Sequence, residues 1–142
     1  MSRGFHAEEV INRPTDQVWQ TLTDLQGAGR WMGPVEAIDV VGGGALEQGA
    51  RLAFKARGGE HHSTVTAFEP GRRLEMTSTQ SGVTAVYDYR LQPATGGTRV
   101  TLDAACTATG WIRLIHPLIN YMMKRIDGNQ ITALKDVIES TR

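Results

Sequence analysis

Cysteine, charge of one sign and long apolar runs are scarce in this chain of 142 residues. Cys106 is the single cysteine, so no internal disulfide framework can form and a redox function has little basis. The formal net charge of +0 removes the electrostatic basis for binding nucleic acid. No apolar run approaches the roughly 20 residues that cross a bilayer, and the first residues lack the apolar stretch of a signal peptide. We therefore expect a cytoplasmic protein that neither binds nucleic acid nor inserts into a membrane.

The length and the hydrophobic content of 40% are sufficient for one domain with a real core, which we expect to span residues 1–142. Residues 5–12 predict a first strand, and Pro14 follows, whose fixed φ and missing N–H suit the first position of a helix. Val18 and Leu22 supply the buried stripe of that short helix, which the following glycines end. Residues 30–32 predict a second short turn.

Residues 35–108 predict strands with turn signals between them. Glycine-containing links, among them the triplet at residues 42–44, separate the segments 35–41, 50–57, 61–69, 72–79, 83–92 and 97–108. Links this short join antiparallel neighbours, and the triplet is expected at a hairpin turn. Alternation along the last two strands puts one set of side chains on an inward face: Val83, Ala85, Tyr87, Tyr89, Leu91, Val100, Leu102, Ala104, Cys106 and Ala108.

The C-terminal segment returns to helical spacing, because apolar residues from Ile115 to Ile138 recur at intervals of three and four. About two dozen residues in one helix would be roughly 35 Å long, enough to cross a sheet. Pro117 fits an early helical turn, and Gly128 indicates close packing or a bend. The predicted fold is α+β: a curved antiparallel sheet that holds a long C-terminal helix, with residues 115–126 as a cavity wall and the remainder as packed core.

One set of turn, cap and packing residues extends over nearly the whole chain: Pro14, Val18, Trp19, Leu22, Thr23, Asp24, Arg30, Trp31, Gly49, Glu69, Pro70, Arg73, Leu74, Gly97, Thr98, Arg99, Val100, Ala133, Leu134 and Lys135. The pattern resembles the START-like, helix-grip superfamily (SRPBCC), closest to the polyketide cyclase/dehydrase and lipid-transport group. The resemblance implies two short helices after the first strand, and a seven-stranded sheet around the last helix with an apolar cavity between them. Members of the superfamily include aromatic cyclases, lipid and quinone carriers, and activators of a chaperone ATPase.

Metal, nucleotide and hydrolase chemistry lack their usual patterns in this sequence. His61 and His62 are adjacent on a predicted strand and point to opposite faces, so they do not converge on one metal, and we expect no metal site and no cofactor. No Gly-x-Ser-x-Gly elbow occurs, and the glycine triplet lacks the spacing of a phosphate-binding loop. Cys106 is expected to be a small apolar filler, because nothing in the sequence supplies the base or cation that a reactive thiolate needs.

Three polar residues are candidates for acid–base chemistry if the protein is an enzyme: Tyr87, Glu9 and His61. Tyr87 shares the inward face of its strand, where core packing is the alternative. Glu9 shares parity with Phe5 and Ile11, and a solvated strand edge is the alternative. His61 shares parity with Val65 and Ala67, and a solvated strand end is the alternative.

The predicted ligand-binding residues combine inward-facing strand positions, the wall of the last helix and one residue expected to cap the cavity mouth: Trp31, Phe54, Val65, Met76, Ala85, Tyr87, Tyr89, Ala104, Cys106, Ile119, Met122 and Ile126. Three functions remain open. The first is a carrier or sensor of a small hydrophobic molecule such as a lipid, quinone or polyketide-like aromatic, because small inner residues and methionine suit adaptable apolar binding. The second is an enzyme of the cyclase/dehydrase type. The third is a protein-interaction module.

Overall fold

The computed structural model of the protein describes residues 3–32, 35–56, 59–80, 82–108 and 130–140, with the backbone alone at residues 3, 4, 36, 56 and 80. The strands are β1 Arg3–Ile11, β2 Val35–Val40, β3 Arg51–Ala56, β4 Gly59–Glu69, β5 Arg73–Gln80, β6 Val83–Ala94 and β7 Gly97–Ala108. The helices are α1 Thr15–Leu22, a 3-10 helix Leu25–Arg30, and α2 Gln130–Ser140. The predicted extension of the last helix over residues 115–129 lies outside the described residues.

One seven-stranded sheet has the order β1-β7-β6-β5-β4-β3-β2, and every neighbouring pair is antiparallel. Strands β2 to β7 follow each other as neighbours, whereas β1 lies at the opposite edge from β2. The chain between them carries α1 and the 3-10 helix, which therefore cross from one edge to the other. Gly71 and Gly96, at the turns before β5 and β7, have φ of 76° and 82°, a left-handed conformation that glycine adopts without strain. The predicted antiparallel sheet is confirmed.

The two early helical segments begin at different residues from those predicted. Pro14 precedes α1 in an extended conformation with ψ of 152°, and its carbonyl accepts the first helical hydrogen bond from Val18 at 3.1 Å, so it caps the helix. The second segment is the 3-10 helix, which contains Gly27 and Gly29. It starts five residues earlier than the turn predicted at residues 30–32. The Asp24 carboxylate stabilises it by accepting from the Gly27 amide at 3.3 Å and from Arg30 Nη2 at 3.0 Å.

The glycine triplet lies where a hairpin turn was predicted, because a 3-10 turn over Val41–Gly43 begins the link between the antiparallel neighbours β2 and β3. One strand prediction is wrong in detail. In β4, a register shift follows Val65, which pairs with Met76, so that Ala67 pairs with Glu75 on the outer face. A bulge of this kind adds one residue to a strand and reverses the alternation beyond it. Ala67 therefore does not share a face with Val65, as strict parity predicted.

The sheet buries the face that packs against α1 and α2, called the inner face below. Val18 and Leu22 of α1 and Ile131, Leu134 and Ile138 of α2 are buried at helical spacing. Strand residues complete this core: Ile11, Leu52, Leu74, Leu91, Val100 and Leu102. Burial of each such side chain contributes roughly 1.5–3 kcal/mol.

The outer face carries an ionic cluster centred on Asp88. Its carboxylate accepts from Arg73 Nε at 3.1 Å and from Arg90 Nε at 3.1 Å, while Arg73 also contacts Glu75 at 3.1 Å. The hydrogen bond to Asp88 raises the pKa of Arg73, so the cluster favours its charged form. These partners hold Arg73 half-buried.

Candidate functional site

Side-chain burial divides the inner face into two regions. In the filled region, next to α1 and α2, the strand side chains Ile11, Leu74, Tyr89, Leu91, Val100 and Leu102 are buried. Further along the strands, in what we call the half-buried region, the inward-facing side chains keep partial exposure: Phe54, His61, Ser63, Ser78, Val83, Ala85 and Tyr87. Half-buried apolar side chains on the inner face of a sheet are typical of the lining of a binding site.

One cross-strand row marks the boundary between these regions. Tyr87 pairs with Met76 on one side and Ala104 on the other, and Met76 in turn pairs with Val65. Val65, Met76 and Ala104 are buried, whereas Tyr87 is half-buried. The structure therefore brings these four predicted site residues together in one row across β4, β5, β6 and β7.

The next row contains smaller side chains. Ala85 pairs with Ser78 and with Cys106, and Val83 pairs with Ala108. Cys106 is buried, and this burial raises the pKa of its thiol, which keeps it protonated and unreactive at neutral pH. These side chains are small, and those of Ser78, Val83, Ala85 and Ala108 are half-buried.

A polar cluster joins the 3-10 helix, β6 and α2 beside the filled region. The Tyr89 hydroxyl donates to Gln130 Oε1 at 2.6 Å, and Tyr89 is 1% exposed while Gln130 is 6% exposed. The Trp31 ring lies perpendicular to the Tyr89 ring, with 5.8 Å between their centroids. Trp31 is 2% exposed, so its side chain is buried, and its predicted place at a cavity mouth stays a prediction.

Gln130 is the residue of this cluster that the sequence prediction missed as a site residue. Its signal was a polar side chain within the apolar helical stripe that extends from Ile115 to Ile138, directly after Asn129. Buried polar side chains require hydrogen-bond partners, so a glutamine on the apolar face of a helix indicates a partner on the sheet. Tyr89 is that partner.

The three candidates for acid–base chemistry lie on different parts of the sheet. Glu9 faces inward beside Phe5 and Ile11 as predicted, but its carboxylate lies 3.6 Å from Lys135 Nζ of α2. His61 stacks on Phe54 across β3 and β4, with 5.6 Å between ring centroids. Four strand spacings separate β1 from β4, roughly 19 Å along the sheet. Tyr87 lies on β6, two strands from each of the others, so Glu9 and His61 do not converge on one substrate atom.

Part of the predicted site falls outside the described residues. Ile119, Met122 and Ile126, the predicted wall of the last helix, belong to this part.

In the described portion of the chain, no group of three histidine, cysteine, aspartate or glutamate side chains is arranged to hold a metal ion. Neither α-helix in this portion has the length and apolar content that a membrane span requires.

A groove of about 310 Å³ lies near the β2 edge of the sheet, lined by Ala37, Asp39, Ala53, Phe54, Lys55 and Glu60. Asp39, Lys55 and Glu60 are exposed, and the groove is open to solvent. Binding of an apolar molecule requires a mostly apolar, enclosed lining. The exposed charged residues that line this groove do not meet that requirement.

Comparison with solved structures shows the same fold over the full length of other chains. The Zhui aromatase/cyclase from Streptomyces sp. R1128 superposes with a TM-score of 0.77 at 14% identity, covering 98% of this chain and 94% of its own. Ara h 8.0201 gives a TM-score of 0.74 at 13% identity, with 99% and 100% covered. TTHA0849 from Thermus thermophilus gives 0.73 at 21% identity, with 99% and 98% covered. These similarities show a shared helix-grip fold.

The sequence itself matches one family model over most of its length. No curated protein matches the chain at a significant level. The model described as polyketide cyclase/dehydrase and lipid transport matches residues 3–139, which include the seven described strands, α1 and all of α2 except its last residue. The chain therefore belongs to the polyketide cyclase/dehydrase and lipid transport family.

Proposed function

We propose that the protein binds one small hydrophobic molecule on the half-buried region of its inner face and acts as a carrier or sensor of that molecule. The observation that carries this proposal is the change in burial along one face of β6. Leu91 and Tyr89 are buried, whereas Tyr87, Ala85 and Val83 on the same face are half-buried. A face that served only as core would be filled along its whole length, because unfilled apolar surface costs stability.

The lining favours a largely apolar ligand. Phe54, Val83, Ala85 and Tyr87 are partly buried side chains that pack against the hydrophobic core. The polar groups of the same region are few and small, Ser63 and Ser78, with the His61 ring stacked on Phe54. A ligand bound there would gain roughly 25 cal/mol for each Å² of apolar surface removed from water. Membership of a family that includes lipid transport supports the same ligand class.

Two alternatives have weaker support. An enzyme of the cyclase/dehydrase type needs acid and base groups within hydrogen-bonding reach of one substrate, and Glu9 and His61 lie at distant positions on the sheet. An interaction module needs an exposed apolar or strongly charged patch. Within the described ranges, Val10 and Val41 are the large apolar residues that are strongly exposed, at 38% and 53%, and they lie on separate elements.

The direct test is native mass spectrometry of protein purified from its own source. We expect a co-purifying small molecule at one copy per chain, and its mass would define the ligand class. A fluorescence titration with N-phenyl-1-naphthylamine, a neutral apolar probe, tests the site itself. We expect saturable binding at one site, with an increase in probe fluorescence because the ligand leaves water.

A matched pair of variants locates the binding site. Ala85→Phe fills the half-buried region and should weaken probe binding about tenfold or more, since overpacking by a large side chain costs roughly 1–3 kcal/mol. Val86→Phe introduces the same side chain at the next position, on the outer face, and should leave binding within twofold. Absence of saturable binding, or equal weakening by both variants, would contradict the proposed function.

A further inference from the structure

The indole N–H of Trp31 is a buried donor that the described structure does not satisfy. Trp31 is 2% exposed, and within the described part of the chain its Nε1 has no hydrogen-bond partner. Leaving a buried donor without an acceptor costs roughly 1–3 kcal/mol, and most such groups in native proteins are paired. Phenylalanine would offer a similar aromatic surface without this cost. The position of the donor therefore requires an explanation.

Trp31 lies beside the boundary of the proposed binding site. Its ring contacts Tyr89, which is held by the bond to Gln130. Tyr89 is two residues from Tyr87 on the same face of β6, a separation of roughly 7 Å along a strand. A molecule that contacts Tyr87 would therefore lie one cross-strand row from Tyr89, the residue on which the indole packs.

We propose that the ligand of the half-buried region carries a neutral oxygen acceptor, such as a carbonyl, which accepts a hydrogen bond from Trp31 Nε1. This inference rests on the proposed function and narrows its ligand class from hydrophobic molecules in general to oxygenated ones. The indole N–H is a donor only, so an ammonium group or a pure hydrocarbon cannot satisfy it. Tyr89 and Gln130 act as positioning residues, because their hydrogen bond fixes the ring against which Trp31 packs.

Two probes of nearly equal shape test this inference. 2-Acetylnaphthalene carries a carbonyl oxygen where 2-ethylnaphthalene carries hydrogens, and the affinity of each is measured by displacement of N-phenyl-1-naphthylamine. The quantity of interest is the ratio of the two dissociation constants, compared between the wild type and Trp31→Phe, because this comparison cancels the different hydrophobicity of the probes. We expect the preference for the acetyl probe to fall about fivefold in Trp31→Phe, the effect of one neutral hydrogen bond of roughly 1 kcal/mol.

Trp19→Phe is the matched control. Trp19 is a half-buried tryptophan of α1 that packs on Phe68, with 5.6 Å between ring centroids. The same substitution there should leave the ratio unchanged. A change of equal size in both variants would overturn the inference, since the effect would then not be specific to the Trp31 indole.

A measurement on the wild type keeps the test independent of how well Trp31→Phe folds. The indole N–H signal of Trp31 in a proton–nitrogen NMR spectrum should move downfield with 2-acetylnaphthalene and not with 2-ethylnaphthalene. An equal response to both probes, with an unchanged affinity ratio, would overturn this inference alone and assign the donor to water or to the Tyr89 ring. Failure of both probes to bind the wild type would overturn the proposed function and this inference with it.

Discussion

The hydrogen bond between Tyr89 and Gln130 should contribute measurably to stability. Tyr89→Phe removes the hydroxyl that donates to Gln130 Oε1 at 2.6 Å, and both side chains are at least nine-tenths buried. Loss of one partner from a buried hydrogen bond costs roughly 1–3 kcal/mol. Unfolding entropies of about 2.1 cal/mol/K per residue give roughly 0.3 kcal/mol/K for 142 residues. A loss of about 2 kcal/mol should therefore lower the melting temperature by about 7 °C.

A double-mutant cycle separates this bond from other effects of each substitution. Gln130→Met keeps the length of the side chain and removes its amide, and the free energies of unfolding of the wild type, the two single variants and the double variant are measured in urea. We expect a coupling energy of about 1 kcal/mol, because the double variant loses both polar groups and leaves neither unpaired.

Additivity within about 0.5 kcal/mol would refute this reasoning, since groups that do not interact show energies that add within that range. Such a result would mean that the two side chains act separately in solution. It would also remove the reason for treating Tyr89 and Gln130 as the pair that positions Trp31. The cycle therefore tests a premise of the ligand inference without any ligand.

Three further predictions concern the strands. Gly97→Ala should destabilise the protein by about 3 kcal/mol or more, because the added methyl would overlap the Ile11 carbonyl in β1. Asp88→Asn should lower the free energy of unfolding by about 2 kcal/mol, as it weakens charged hydrogen bonds on the outer face. The hydrogen bond to Asp103 at 2.6 Å raises the pKa of His6, so its stabilisation is complete below pH 6.5 and is lost as the pH rises through the raised folded-state pKa.

Each of these predictions has a control. Gly44→Ala should have little effect, since Gly44 is extended with φ of −79° and no atom lies near its added methyl. Asp136→Asn removes the same charge at an exposed position of α2 and should cost less than about 0.5 kcal/mol. For His6, NMR titration should show a lower pKa in Asp103→Asn than in the wild type. The argument for Gly97 would be contradicted if Gly97→Ala and Gly44→Ala had equal free energies of unfolding, and the argument for Asp88 if Asp88→Asn and Asp136→Asn did. An unchanged pKa of His6 in Asp103→Asn would contradict the argument for His6.

Strand alternation made most of the fold and part of the site predictable. In β6 and β7 the inward side chains occur at every second residue, and this parity holds from Val83 to Leu91 and from Val100 to Ala108. Period-two patterns predict faces reliably where no residue is inserted. The bulge after Val65 breaks this condition, and nothing in the composition of β4 indicates where the extra residue lies.

The position of Trp31 was harder to predict for a different reason. The sequence predicted that Trp31 caps a cavity mouth, whereas its burial depends on contacts with residues distant in sequence. Its partner Tyr89 is 58 residues away, and the bond that fixes Tyr89 comes from Gln130, a further 41 residues along. Local patterns give the face of a strand, whereas the meeting of three separate elements is a property of the whole fold.

Side-chain size along the inner face separates the packed core from the proposed binding surface within a single sheet. Large residues such as Leu102 fill the region next to α2, where truncation to alanine costs roughly 2–5 kcal/mol. Small residues such as Ala85 and Ala108 occupy the other end of the same strands, where partial exposure leaves room for larger side chains. We therefore expect substitutions at the small positions to alter the shape of the proposed binding surface without removing core contacts. The residues that stabilise the sheet and the residues proposed to line the binding surface are therefore different ones.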